Sequence, residues 1–263
     1  MDLQIQGKVA LVTGSTAGIG YAIAERLARE GADVIVNGRT AERVEAAIRK
    51  IGAAGGGSKI HGLTADLGGR GGVSSAIQRF PKIDILINNL GIFEPKPFEE
   101  ISDEDWLRFF EVNVLSGVRL SRHYLPGMKQ SGWGRIVFIS SESALQIPAE
   151  MIHYGMTKTA QLAVARGLAE TTTGTDVTVN SVLPGPTASE GVNEFVDRLA
   201  AGTESREQVE KNFFEHVRPS SIIKRFERPE EIANVVAFLA SPLSSAVNGA
   251  AVRADGGVVR SIG

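Results

Sequence analysis

The sequence predicts an α/β protein built on a doubly wound parallel sheet of seven strands. Three observations predict it. Short β-branched runs alternate with longer stretches of helical period almost from the first residue. Most of the strand-like runs are apolar without alternation, as strands covered on both faces are. A glycine-rich stretch, Thr13-Gly14-Ser15-Thr16-Ala17-Gly18-Ile19-Gly20, joins the first such run directly to the first helical one.

Taken in order, strands are expected at Lys8–Thr13, Asp33–Asn37, Ile60–Ala65, Ile83–Asn88, Arg135–Ser140, Val177–Val182 and Ala250–Ala254. Helices are expected between them at Ile19–Glu30, Ala41–Lys50, Gly72–Arg79, Asp103–Leu125, Ile152–Thr171 and Glu230–Ala240. The run Ala53-Ala54-Gly55-Gly56-Gly57-Ser58 is a connection, and no linker divides the chain, so residues 1–263 read as one domain. From about Pro186 to Arg228 the sequence is mixed and highly charged, with helical pieces at Val192–Ala200 and Arg206–Phe214. It reads as an insertion before the last helix and strand.

Composition removes several classes of function. Twenty-eight Lys plus Arg against 30 Asp plus Glu leave a net charge of -2, so no bulk charge draws nucleic acid or an anionic membrane. The absence of cysteine excludes disulfides, Cys-ligated metal and thiol nucleophiles, and the four histidines, His61, His123, His153 and His216, show no ligand spacing, so no metal site is expected. Runs such as Val235–Ala240 fall short of the roughly 20 apolar residues that span a bilayer. With an acid and two glutamines among the first eight residues, where an export signal carries positive charge, a cytoplasmic protein is expected.

The glycine-rich turn lets backbone approach a pyrophosphate, whose charge the N–H groups and positive dipole end of the helix would face. Its spacing is Gly-x-x-x-Gly-x-Gly, with Gly14, Gly18 and Gly20 as the three glycines. At Tyr154-Gly155-Met156-Thr157-Lys158, a tyrosine and a lysine stand at i and i+4, on one helix face. An ammonium at roughly 4 Å in an effective dielectric near 20 contributes about 4 kcal/mol, enough to bring a phenol down by about 3 pK units toward neutrality. There it would serve as a general acid or base.

With the turn and the Tyr-x-x-x-Lys pair together, the chain resembles the short-chain dehydrogenase/reductase family, and further matches run in order along most of its length. They are Asn88-Asn89-Leu90-Gly91 after the fourth strand (the family's Asn-Asn-Ala-Gly), Asn113 in mid-helix, Ser141 thirteen residues before Tyr154, Pro184-Gly185 after Asn180, and Asp255-Gly256-Gly257. The resemblance implies a Rossmann-type fold and hydride transfer between a nicotinamide and a carbonyl or alcohol carbon. It implies four catalytic residues. Tyr154 exchanges a proton with the substrate oxygen, Ser141 hydrogen-bonds that oxygen, Lys158 lowers the tyrosine pKa and binds the nicotinamide ribose, and Asn113 holds a water that connects Lys158 to solvent.

The cofactor contacts that the resemblance implies are Gly14, Ser15, Thr16, Gly18, Ile19 and Gly20 in the turn, Asp66 and Leu67 at the adenine, and Asn88 and Gly91 along the adenosine. At the nicotinamide end they are Tyr154, Lys158, Ile139, Pro184 and Gly185, with Thr187 or Ser189 on the carboxamide. Gly38 stands where NAD-binding members have an acid and Arg39 follows it, which favours NADP, with NAD as the alternative. Residues 186–228 would close over a small carbonyl or alcohol substrate. A 3-oxoacyl thioester on an acidic carrier is one candidate, met by Arg122, Lys129 and Arg166. Glu142 and Glu150 would be acids at the mouth that select a polar group. Other readings on the same fold are a dinucleotide sensor or scaffold without turnover, and an epimerase or dehydratase that consumes no net cofactor. Assembly as a homotetramer or homodimer, through the helices at 103–125 and 152–171, is also implied.

Overall fold

The computed structural model describes residues 2–53, 57–189 and 205–262. Seven strands form one sheet: β1 (Val9–Val12), β2 (Asp33–Gly38), β3 (Ile60–Thr64), β4 (Ile85–Asn88), β5 (Trp133–Ile139), β6 (Asp176–Pro184) and β7 (Ala251–Ala254). All pairs are parallel and the order is β3-β2-β1-β4-β5-β6-β7. The expected fold class is thus observed.

Alternate side chains of each strand enter two separate cores. On one face Ala10, Val12, Val34, Val36, Ile85, Ile87 and Val137 pack against α1 (Gly18–Arg29), α2 (Ala41–Ala53) and the last helix, Pro229–Leu239. On the other, Leu11, Ile35, Leu86, Ile136 and Phe138 pack against α3 (Arg70–Arg79), α5 (Ser116–Ser131) and α6 (Ile152–Glu170). Because β1 lies between β2 and β4, the chain leaves β1 toward one side and returns on the other. The crevice at the C-terminal ends of these strands is the topological switch point where ligands of such sheets bind.

Three departures from the sequence reading have physical causes. The helix expected over Asp103–Leu125 is α4 (Asp103–Phe110), a π-helical turn (Glu111–Leu115) and α5. That turn holds Asn113, whose side chain is bonded outward to other elements, a common use of π-turns. Pro126 removes one backbone donor yet does not end α5, which stops at Gly132 in the left-handed region with φ 78°. β6 extends to Pro184, because a proline needs no donor at the strand end, where Gly185 N–H donates to Ala254 C=O at 3.1 Å.

In the insertion, the helix over Arg206–Asn212 passes into a π-turn at Phe213–Val217. The helical piece expected at Val192–Ala200 lies outside the described residues. An isolated parallel bridge between Thr187 and Glu227 pins the insertion's two ends together. Among the described residues, no helix is long and apolar enough to cross a membrane.

Candidate active site

The turn after β1 is held open from beneath by two asparagines. Asn37, 2% exposed at the end of β2, accepts from Gly14 N–H at 3.0 Å and donates to the carbonyls of Leu63 and Ala65 at 3.1 and 3.0 Å. Asn89 donates its amide to the carbonyls of Thr13 and Gly14 at 2.9 and 3.1 Å. Gly14 and Gly18 have φ of +60° and +56°. At Gly20 an added Cβ would collide with Gly14 C=O and the Asn89 amide, so only glycine lets helix and turn meet here. Thr16 and Ile19 complete the rim, both half-buried.

Helix α1 starts without a side-chain cap, Ala17 being its N-cap residue, and its first backbone bond runs from Tyr21 N–H to Ala17 C=O. The N–H groups of the first turn are thus presented to the crevice, which suits a pyrophosphate. Ser189 lies over this turn, 3.4 Å from where a Cβ on Gly18 would stand. Ser15 faces inward: it is fully buried, donates to Val12 C=O at 2.7 Å and accepts from Asn37 N–H at 2.9 Å. Thr187 is buried as well and donates to Gly185 C=O at 2.9 Å, leaving Ser189 as the hydroxyl nearest the glycine turn.

Asp66 is exposed after β3, accepting from Gly68 N–H at 3.0 Å, while Leu67 is buried beneath it. Asn88 is buried at the end of β4, where its Oδ1 has no hydrogen-bond partner. A Cβ on Gly91 would lie 3.4 Å from Lys158 Nζ and 3.6 Å from Asn113 Oδ1, so Gly91 brings backbone alongside Lys158. Gly38 is buried against Thr16, with 2.5 Å from its Cβ position to Thr16 Cγ2, while Arg39 is exposed.

The end of β5 and α6 carry the candidate reactive groups. Ser141 caps the short 3₁₀ turn Glu142–Ala144 at the end of β5, and Tyr154 and Lys158 stand on the α6 face that meets it. Lys158, 4% exposed, donates from Nζ to Ile139 C=O at 2.9 Å and lies 3.4 Å from Gln161 Oε1. Burial lowers its pKa to about 8. Burial raises that of Tyr154; Ser141 and Arg218 oppose the rise and Glu142 adds to it. The expectation of a phenol brought down by a lysine at roughly 4 Å is therefore corrected. Lys158 Nζ is 5.6 Å from the Tyr154 ring centroid, its donors are turned toward Ile139 and Gln161, and desolvation of the phenol prevails.

Both side-chain polar atoms of Asn113 and its backbone carbonyl have protein partners. Its side chain accepts from Ile92 N–H at 2.8 Å and donates to Ile92 C=O and Thr157 Oγ1, each at 3.0 Å, and its own carbonyl accepts from Gln161 Nε2 at 2.6 Å. Gln161 thus links Asn113 to Lys158.

Glu142 is not an acid at a solvated mouth. It is 4% exposed and accepts from Ser141 Oγ at 2.5 Å, Ser143 N at 2.6 Å and Ser143 Oγ at 2.8 Å. Arg218, from the insertion, donates from Nε to Glu142 at 2.9 Å and from Nη1 to Glu150 at 3.1 Å. Against burial, these two carboxylates raise Arg218 above its ordinary pKa. Glu227 is a second buried acid beside the site. It accepts from Gly185 N–H at 3.1 Å, and burial raises it to about 7.

His153 packs against Phe109 and Trp106, with neither ring nitrogen hydrogen-bonded. Of the three bases expected to meet an acidic carrier, Lys129 donates to Thr171 C=O at 2.6 Å and Arg166 pairs with Glu170. Among the described residues no cluster of three His, Cys, Asp or Glu could hold a metal ion.

Comparison with known proteins agrees with this geometry. A family model described as short chain dehydrogenase matches residues 8–199. The uncharacterized oxidoreductase YvaG of Bacillus subtilis is 52% identical over 263 residues, covering 100% of both chains. The 3-oxoacyl-[acyl-carrier-protein] reductase FabG of Aquifex aeolicus is 35% identical, covering 98% of this chain and 100% of its own. Among solved structures, L-sorbose reductase from Gluconobacter frateurii, complexed with NADPH and L-sorbose, superposes with a TM-score of 0.93 at 31% identity, covering 100% of each chain.

Proposed function

The chain belongs to the short-chain dehydrogenase/reductase family, and on that premise we propose that it reduces a ketone, simple or of the 3-oxoacyl type, to an alcohol with NADPH, and runs the reverse oxidation. The observation that carries this reading is the meeting of Ser141, Tyr154 and Lys158 beside an uncapped helix N-terminus lined by glycine.

When bound, the reduced nicotinamide supplies the hydride. Burial keeps the Tyr154 phenol protonated through the neutral range, so it meets a carbonyl oxygen as a proton donor, which is what reduction needs. Ser141 adds a hydroxyl beside the oxygen on which charge develops. Lys158, fixed to Ile139 C=O, keeps a donor for a ribose hydroxyl and delivers positive charge to the reacting end of the site. Gly14, Thr16, Gly18, Ile19 and Gly20 receive the pyrophosphate, Asp66, Leu67, Asn88 and Gly91 the adenosine, and Pro184, Gly185 and Ser189 the carboxamide. Ser15 and Thr187 serve from below, as struts of those two loops.

NADPH is favoured by the absence of an acid at Gly38 and by the exposed guanidinium of Arg39, and the NADPH complex of L-sorbose reductase supports the choice. Tetramer assembly is supported by Leu107 and Phe110, which leave 70% and 37% of their surface exposed on α4.

The test is loss of reduced-cofactor absorbance over a panel of ketones, aldehydes and an acetoacetyl thioester. Consumption that prefers NADPH over NADH and disappears in Tyr154→Phe is expected. Binding of NADPH with no turnover of any panel member would instead favour a dinucleotide sensor. Product formed without net cofactor loss would favour an epimerase or dehydratase.

A further inference from the structure

The carboxylate next to Ser141 has no part in the reaction just described, yet it is among the most heavily bonded side chains near the site. Glu142 Oε2 accepts from three donors, Ser141 Oγ, Ser143 N and Ser143 Oγ, while Oε1 accepts from Arg218 Nε. A serine hydroxyl has one proton. Ser141 gives that proton to Glu142, so it donates to a substrate oxygen only after turning from the carboxylate.

The partner of Glu142 comes from 76 positions away, and both groups are buried, Glu142 at 4% and Arg218 at 9% exposure. A buried charge left alone is costly, so each of these groups depends on the other. Both also act on the Tyr154 phenol, with opposite signs. Among the described residues the charged groups around that phenol are Glu142 from the turn after β5, Arg218 from the insertion, Lys158 from α6, and Glu150, which reaches it through Arg218.

We propose that Glu142 and Arg218 are a positioning pair for the catalytic serine and tyrosine: the carboxylate fixes the direction of the Ser141 hydroxyl, and the guanidinium balances the negative charge that this carboxylate sets beside Tyr154. The inference rests on Tyr154 being the proton donor of the proposed reaction. It makes seating of the insertion an electrostatic input to the proton-transfer step.

The pair predicts shifts of opposite sign, which loss of folding or of packing does not produce. Glu142→Gln, Arg218→Met and the double variant are compared, each with and without Tyr154→Phe, by ultraviolet titration of tyrosinate in the ligand-free protein. The component that vanishes with Tyr154→Phe is expected to begin titrating about one pH unit lower in Glu142→Gln, the scale set by one neighbouring unit charge. It is expected at higher pH in Arg218→Met, and near wild type in the double variant. Arg218→Lys, which keeps the charge, is expected to restore the wild-type onset. The double variant removes both charges together, so it leaves no unpaired buried ion should Arg218→Met fail to fold.

The same order is expected in the pH limb of kcat for ketone reduction, with KM for NADPH unchanged. An onset identical in all variants, or moved in one direction by both single substitutions, overturns the proposal. A wild-type protein that reduces no ketone overturns the functional reading, and the titration still decides whether the pair acts on Tyr154.

Discussion

Gln161 donates its side-chain amide to the backbone carbonyl of Asn113 at 2.6 Å. The same side chain places Oε1 3.4 Å from Lys158 Nζ, so one buried amide links the π-turn before α5 to the lysine of the candidate site. Replacing it by leucine keeps the volume and removes both partners. Gln161→Leu is expected to lose about 1–3 kcal/mol of stability in urea unfolding, the cost of leaving a buried carbonyl without a donor. NADPH affinity is expected to fall with it, because Lys158 loses one of its two fixed positions. An unchanged unfolding midpoint would show that the carbonyl finds another donor.

Asn37 ties the glycine turn to the end of β3, accepting from Gly14 N–H and donating to the carbonyls of Leu63 and Ala65. Asn37→Ala removes these hydrogen bonds, and at about 1 kcal/mol each the expected loss is about 3 kcal/mol. Titration of NADPH fluorescence is expected to show at least tenfold weaker binding, since Gly14 is no longer held. A variant destabilised to this extent but with intact affinity would separate the turn's stability from its geometry.

Cofactor choice is open to two opposed substitutions. Arg39→Ala is expected to weaken NADPH about tenfold and leave NADH unchanged, as loss of one charge-assisted contact to a 2′-phosphate would. Gly38→Asp is expected to repel NADPH and to lower stability by about 1–3 kcal/mol, because its Cβ would press on Thr16 at 2.5 Å. Adding Thr16→Gly should relieve that contact and raise NADH affinity. Dissociation constants for the two cofactors in the three variants check both statements.

Glu227 gives stability a pH dependence of definite sign. Burial raises its folded pKa from the ordinary 4.5 to about 7. Between those values the native state holds the proton more tightly than the unfolded chain does, so this group stabilises the fold at low pH and ceases to as pH rises through 7. Relative to Glu227→Gln, the wild type is therefore expected to lose up to about 3 kcal/mol between pH 4.5 and 7. Urea unfolding of both proteins at a series of pH values reads the difference directly.

Much of the site could be read in the sequence because its residues are fixed by local chemistry. The glycines are set by turns that Cβ atoms would obstruct, and Tyr154 and Lys158 by a four-residue spacing on one helix. What escaped reading is long-range. Nothing near Glu142 announces Arg218, 76 positions later, and a charge beside a strand end reads as solvated until the insertion is seen to cover it. The π-turn at Asn113 was hidden for a similar reason, since its apolar periodicity passes for one continuous helix. Asn37 and Asn89 did carry a signal, as amide side chains at the ends of the two strands that flank β1, but that signal points to struts only once the strand order places them under the turn.

The bridge between Thr187 and Glu227 gives the segment between them a character of its own. Ala188 N–H donates to Glu227 C=O and Glu227 N–H to Pro186 C=O, each at 2.8 Å, so the two ends of the segment meet just beyond β6. For a loop closed in this way, doubling the length adds only about 0.6 kcal/mol of closure entropy. On the proposal that this stretch closes over the substrate, exchanging it alone is expected to change substrate range, provided the graft preserves its two ends and the guanidinium at 218.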